Sequence, residues 1–499
     1  MRIIKFVLLL PFLFSLVTSG SGQHLGAATD NYVTTQKVIY NPASIADPKP
    51  FADFRIFGVS QLLQNTYVYF PRADFSSDPL DNYDPNKKYN LYSETDVYAL
   101  AFTRAIKNRA FGINIRIRNH IIGRRVPASV AKFGFEGLSY EPLRDQQFDE
   151  KRFMVKTMGW GELGLSYAQI VQKRGNAIFT AGGTLKILNG FSNVAFIGRD
   201  FNYSTDTSDL EMAKYTGKLV LTVPGANKGW GTGLDLGVEY KRMLRDDNAY
   251  HIPHHIKGHC LVKDYKYKIG VSMIDLGFIN FKKTTANYKF DGDSINLIDY
   301  VSSPPSGISD IERKLDDAIA NSGADVEKKD RSFSTLPLSF IFQGDYNFEN
   351  HFYLNAQLLL GIQQYNFAGA ERMTTFTLTP RYELKKLTFA MPISVYRYGK
   401  PGVGFYARLW WLSVGMNNFI PLAFKRDLYN VDVYASINIP LFHSRPCKGY
   451  ESHKGDYCPK PKLKIFNFGH KKGSKSKGKT KKSQDRKKII RVRRKHNKR

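Results

Sequence analysis

The sequence predicts an all-β fold, a transmembrane antiparallel β-barrel of about 14 strands followed by a disordered basic C-terminal tail. Three observations carry that expectation. Extended segments of about 8 to 12 residues put apolar side chains on one face and polar ones on the other. In residues 111–118, Phe111, Ile113, Ile115 and Ile117 share one face while Asn114, Arg116 and Arg118 share the other. Such segments recur almost to residue 441, behind an export signal. Nothing after residue 22 stays apolar over the roughly 20 residues that a membrane-spanning helix needs.

The export signal comes first. Arg2 and Lys5 precede a mostly apolar run of twelve, Phe6 to Val17, and Thr18 to Gly22 supplies the small residues before an expected cleavage at Gln23. No cysteine stands there to suggest a lipoprotein. The expected organisation is a signal peptide (1–22), an N-terminal periplasmic or plug segment (23–50), the barrel (51–442), a periplasmic linker (443–459) and the basic tail (460–499).

Composition agrees with a barrel. Aromatics make up 14% of the chain, including 29 Tyr and 35 Phe, which suits girdles at the membrane interfaces, and 40 Gly suit a close-packed wall. A mean hydropathy of -0.36 is no objection, because alternating faces average out.

Strands are expected near residues 53–70, 97–104, 111–119, 161–170, 177–188, 232–241, 266–280, 336–346, 352–363, 374–384, 387–397, 402–410, 411–418 and 430–441. An even count returns the chain to the side where it entered. Short turns follow strands two, four, eight, ten and twelve, such as Asn347 to His351 and Leu384 to Lys386, whereas long connections follow strands one, three, five and seven. The exception is residues 242–264, where a tight periplasmic turn is expected and a long connection stands.

Alternation assigns the faces. In the sixth strand Leu234, Leu236, Val238 and Tyr240 oppose Asp235, Glu239 and Lys241. In the tenth, Phe376, Leu378 and Tyr382 oppose Thr377, Thr379, Arg381 and Glu383, and in the last Val431, Val433, Ile437, Ile439 and Leu441 oppose Asp432, Ser436 and Asn438. The predicted lumen-lining residues are Asn114, Arg116, Arg118, Glu162, Lys186, Asp235, Glu239, Lys241, Arg381, Glu383 and Arg408. Charges of both signs in one interior predict an ion-pair network rather than an acid and base couple. A soluble sandwich would alternate in the same way, with its stripes turned into a dry core. Within the long connection before the eighth strand, Ser309-Asp310-Ile311-Glu312 reads as a capping box, and Leu315, Ala318 and Ile319 continue a helix over 309–322.

Several short motifs occur in order along the chain: Asn41-Pro42-Ala43, Gly182-Gly183-Thr184-Leu185-Lys186-Ile187-Leu188-Asn189-Gly190, Gly233-Leu234-Asp235-Leu236-Gly237, Ile274-Asp275-Leu276-Gly277, Leu336-Pro337 and Tyr398-Gly399-Lys400-Pro401-Gly402-Val403-Gly404. Together, over roughly residues 40–441, they resemble the landmarks of domain-of-unknown-function family 5723, uncharacterised bacterial outer-membrane proteins similar to the FadL-type barrels. The resemblance implies an outer-membrane barrel and no established substrate.

The C-terminus departs from that pattern. Ile437, Ile439, Leu441 and Phe442 resemble a terminal barrel signal, yet 57 residues follow, on the periplasmic side if parity holds. Residues 460–499 carry 19 Lys and Arg against the single acid Asp485, and so +18 of the chain's formal +29. Its anion-binding candidates are Lys471, Lys472, Lys475, Lys477, Lys479, Lys481, Lys482, Arg486, Lys487, Lys488, Arg491, Arg493, Arg494 and Lys495. Such a composition cannot bury enough apolar surface to fold alone. The partners that fit are outer-membrane lipid for the barrel, and peptidoglycan or an acidic periplasmic protein for the tail. Nucleic acid would suit the charge but is opposed by the export signal. A merely solvated tail is the bland alternative.

Cys447 and Cys458, in a loop with Pro446, Gly449 and Gly455, are expected to close a disulfide, with free thiols or metal ligands as alternatives. His251, His254, His255, His259 and Cys260 crowd into ten residues, and zinc accepts such ligands, but their spacing matches no established finger and an exposed polar loop explains them equally well. No metal or other cofactor is predicted. There is no Gly-x-Ser-x-Gly elbow, His-Glu-x-x-His or phosphate loop, and Gly229-x-Gly231-x-Gly233 leads into a strand rather than a helix, so no enzyme is expected.

Three functions remain open at this point. One is a structural or secretion-associated barrel, comparable to those that accompany type IX secretion, whose tail tethers it to peptidoglycan or an acidic envelope partner. A second is a barrel that transports or binds a solute, hydrophobic by analogy with FadL-type proteins. The third is a secreted soluble polyanion-binding β-protein. Hydropathy does not say whether the lumen is filled by side chains, inward loops or residues 24–50, or holds water.

Overall fold

The fourteen expected strands close into one antiparallel ring in a computed structural model of the protein. It describes residues 25–442 apart from 245–263, 398–400 and the single positions 107, 139, 207, 208, 284, 299, 304 and 325. The export signal, the His251 to Cys260 cluster, Cys447, Cys458 and the basic tail lie outside the described residues. No helix among the described residues is long and apolar enough to cross a membrane.

The ring consists of β1 (Ala52–Asn65), β2 (Lys88–Ile106), β3 (Arg109–Pro127), β4 (Gln147–Arg174), β5 (Ala177–Thr205), β6 (Gly229–Met243), β7 (Tyr265–Phe281), β8 (Ser339–Glu349), β9 (Phe352–Gly361), β10 (Thr375–Glu383), β11 (Leu387–Ala390 with Ile393–Tyr396), β12 (Gly402–Val403 with Phe405–Leu409), β13 (Leu412–Met416) and β14 (Asn430–Leu441). Each strand pairs with the next, and β1 pairs with β14 from Ala52↔Leu441 to Gln64↔Asn430, so the ring of fourteen closes on itself. Strand β1 starts and β14 ends at the short-turn end of the ring.

The apolar stripes point outward. Phe111, Leu185 and Val171 are 50%, 55% and 60% exposed, while charged neighbours such as Arg118 are fully buried. A soluble sandwich would bury the stripes and expose the charges, so the outward face of this single ring is a hydrocarbon-facing surface and the protein is an outer-membrane barrel. Aromatic pairs ring the short-turn end: Tyr346–Phe348 at 4.8 Å, Phe352–Tyr382 at 4.9 Å and Tyr240–Tyr267 at 6.2 Å between centroids. Exposed Trp410 and Trp411 continue that girdle at the turn between β12 and β13.

Ile115, outward on β3 opposite Leu163, sits near the middle of the band. Ile115→Arg is therefore expected to destabilise the barrel by ~2–4 kcal/mol in vesicle unfolding titrations. Ile298→Arg, at an exposed position outside the ring strands, should change it by less than ~0.5 kcal/mol.

Several strands run longer than the sequence expectation. Strands β4 and β5, expected over 161–170 and 177–188, stay paired from Arg174↔Ala177 out to Gln147↔Ser204. Beyond the band Leu210–Thr222 pairs with β5, and Thr285–Leu297 pairs in turn with Leu210–Thr222, as an outer lobe. Helices α3 (Ala128–Glu136) and α4 (Ile308–Ser322) cover it, burying Phe133, Phe153, Phe201, Tyr215, Phe290 and Leu315 in one cluster. Its alternating strands bury their apolar face against protein, which a period of two cannot distinguish from lipid.

The capping box is also corrected. Helix α4 starts one residue earlier than expected and its N-cap is Gly307 in extended backbone, so Ser309 lies inside the helix and caps nothing. Instead the Asp310 carboxylate accepts the Ser306 N–H at 3.1 Å, and that bond, with Arg313 beside it, holds the carboxyl below its usual pKa.

Candidate functional site

Alternation on tilted strands aims one set of side chains into the ring. All eleven predicted lumen residues, Asn114, Arg116, Arg118, Glu162, Lys186, Asp235, Glu239, Lys241, Arg381, Glu383 and Arg408, are buried there. They fall into connected groups of charges rather than a uniform lining.

Arg118 is the hub of the middle layer. Its Nη1 lies 3.0 Å from both Asp275 carboxylate oxygens, its Nε 3.2 Å from Asp96 Oδ1, and its guanidinium 4.8 Å from the Trp160 ring. Arg116 pairs with Glu162. Lys186 reaches Asp235 at 2.7 Å and Asp275 at 2.6 Å, and Arg372 joins from a loop at 3.2 Å from Asp275 and 3.5 Å from Glu94. Each charge is offset by an opposite one, the condition for keeping ions out of bulk water.

Asp275 shows what sequence reasoning missed. It has φ +60° at a register shift between Met273 and Leu276, a bulge that breaks the alternation of β7 and turns the carboxylate inward. Its amide donates to Asp235 at 2.7 Å. Glu94 and Asp96 escaped because β2 starts well before the expected residue 97, and Arg372 because it lies in a loop. Glu94, Asp96 and His120 converge closely enough for a cation, but Arg118 and Arg372 already neutralise both carboxylates, so that donor set does not fit a metal.

A second layer lies toward the short-turn end. Arg381 bonds Asp345 at 2.9 Å and Glu383 at 2.9 Å, and donates to the Tyr265 hydroxyl at 3.0 Å. Into this layer folds the chain that precedes β1: α1 (Leu25–Thr29), α2 (Thr34–Tyr40) and a 3-10 turn, Pro42–Ile45, nearly all of it buried. It touches every side of the wall. Asp30 pairs with Arg408 at 2.7 Å, Thr35 donates from its amide to Asp53 at 2.9 Å, Thr34 meets Thr103 at 2.6 Å, and Asn41 donates to the Val238 carbonyl at 3.1 Å. Asp47 pairs with Lys241 at 3.3 Å, and Lys49 with Glu383 and Asp264, each at 3.1 Å. The motifs noted in the sequence meet here, since a Cβ on Gly237 would stand 2.2 Å from Asn41 Oδ1 and one on Gly182 2.8 Å from the Pro42 backbone.

At the opposite end the connection between β9 and β10 turns inward. Its tip, 365–367, is exposed, but Ala368 to Met373 are buried, and Ala368–Gly369 pair in parallel with Ser334 and Thr335. Glu371 accepts from Arg124 at 2.6 Å and from Lys156 at 3.1 Å. The lumen is thus filled from both ends, with cavities of about 30 Å³ beside Lys37, Asp47 and Lys241 and about 10 Å³ beside Tyr40, Arg116 and Arg372, room for isolated waters.

A family model described as a family of unknown function (DUF5723) matches residues 51–416. Among curated proteins, none matches the chain. Of solved structures, a TodX deltaS2S3 mutant monoaromatic hydrocarbon channel aligns at 10% identity over 81% of this chain and 92% of that one, with a TM-score of 0.39. The Pseudomonas putida toluene transporter TodX aligns at 9% over 81% and 92%, TM-score 0.37. A Pseudomonas aeruginosa FadL homologue aligns at 10% over 81% and 94%, TM-score 0.28.

Proposed function

The chain belongs to the family of unknown function DUF5723, and on that premise we propose that this outer-membrane barrel is a gated solute path, shut in the described state by residues 25–50 acting as a plug. The observation that carries the reading is what fills the ring. A barrel of eight strands is filled by its own side chains, whereas a wider one needs separate filling or holds water. Here part of the filling is a short segment, joined to the wall at the start of β1 and held by hydrogen bonds and ion pairs that water or a solute can replace. The charged lining suits a polar or charged solute better than the hydrophobic one that the FadL resemblance suggests. Planar-bilayer recordings test the reading: the full chain should be silent and a chain lacking residues 25–50 should conduct. Silence from both would leave a sealed, structural barrel.

A second role is favoured by the tail. Strand β14 ends at Leu441 beside Ala52 at the short-turn end, which supports a tail that starts on the periplasmic face. Its charge of +18 over residues 460–499 suits a tether to peptidoglycan carboxylates or an acidic envelope partner, in a structural or secretion-associated setting. Sedimentation with purified peptidoglycan should fall roughly tenfold when residues 460–499 are removed, or when salt rises to ~0.5 M. Equal sedimentation with and without the tail would dismiss the tether.

A further inference from the structure

Glu371 ties a loop, rather than a strand of the ring, to the wall. It stands at the end of a loop that enters the lumen from outside, and its two carboxylate oxygens go to cations of two different strands, Arg124 on β3 and Lys156 on β4. The loop is seated on the wall by close backbone packing, since a Cβ on Gly361 would fall 1.7 Å from the Arg372 carbonyl oxygen. Yet residues 365–367 remain exposed, with the Tyr365 ring 5.1 Å from the Arg124 guanidinium. The cations therefore lie one short loop away from the outer solvent.

We propose that Arg124 and Lys156 form a carboxylate-binding subsite of the solute path, occupied in the closed state by Glu371 as an internal ligand. The proposal rests on the gated-path reading and adds the chemical class of the solute at its outer mouth. A guanidinium and an ammonium converging on one carboxylate are a strong and selective anion site. Neither cation tolerates burial without a counter-ion, so the loop leaves readily only when another anion takes the place of Glu371. Arrival of a carboxylate and release of residues 362–374 are thus one exchange. The internal Glu371 acts at a high effective concentration, which sets the threshold that an incoming anion must overcome.

Hydrogen exchange of the full-length protein in lipid nanodiscs tests this, with propionate as the probe and propanol or chloride at matched ionic strength as controls. Exchange of amides in 362–374 should rise about fivefold, saturably, with propionate and stay unchanged with either control. Glu371→Gln should show the raised exchange without propionate, and Arg124→Gln should lose the propionate response. Identical exchange in propionate and chloride in the unmutated chain would overturn the subsite, as would a response that survives Arg124→Gln. The unmutated arm depends on no variant folding. A failure here leaves the conductance of the chain lacking residues 25–50 unaffected, so the subsite and the gated path fail separately.

Discussion

Removing residues 25–50 is expected to change the protein from electrically silent to ion-conducting. Fourteen strands spaced ~4.8 Å apart and tilted by ~40° enclose a backbone radius of about 14 Å, too wide for wall side chains to fill alone. With the segment gone, Asp53, Tyr265, Glu383 and Arg408 lose partners that now keep them dry and would be hydrated instead. The middle layer around Arg118 and the loop bearing Glu371 would still narrow the path. The expected record is therefore intermittent steps from the single deletion and steadier ones when Glu371→Gln is added, with liposome swelling faster by roughly tenfold or more. Swelling no faster than with the intact chain would show that the segment does not seal the path.

Arg118→Met is expected to be the most damaging single substitution in the lumen, at about 3–5 kcal/mol of stability. The change keeps much of the side-chain volume but leaves Asp275, Asp96, Glu94 and Glu162 converging without the cation that now contacts all four. An exposed pair such as Arg313 with Asp310 on α4 should cost less than ~1 kcal/mol by the same replacement. The measurement is the temperature or urea concentration at which the compact form on unboiled gels converts to the unfolded one. Adding Asp275→Asn to Arg118→Met should recover part of the loss, because one of the stranded charges goes with it. Equal midpoints for Arg118→Met and the unmutated chain would mean that the layer contributes nothing to holding the ring.

Local patterns carried most of the wall. Phe111 to Ile117 and Leu234 to Tyr240 alternate because successive side chains on a strand face opposite ways, and alternation needs no partner to be read. The motifs Asn41-Pro42-Ala43, Gly182 and Gly237 were visible in the sequence, but their meaning is a contact across the lumen. Asp275 was visible too, although its inward turn depends on a bulge set by pairing with β6 and β8. The outer-lobe strands Leu210–Thr222 and Thr285–Leu297 went unread because their glycines and polar runs blur the pattern and their apolar face meets protein.

By itself, then, the chain determined a ring of fourteen strands with a charged interior, since strand period and turn length are properties of neighbours in sequence. Only the tertiary structure decided which segments fold into this interior and which charges meet there. Arg118 and Asp275 are 157 residues apart, and Asp30 and Arg408 are 378 apart. Such partners are chosen by strand register and by how two loose segments fold inward, and neither is written in any local pattern.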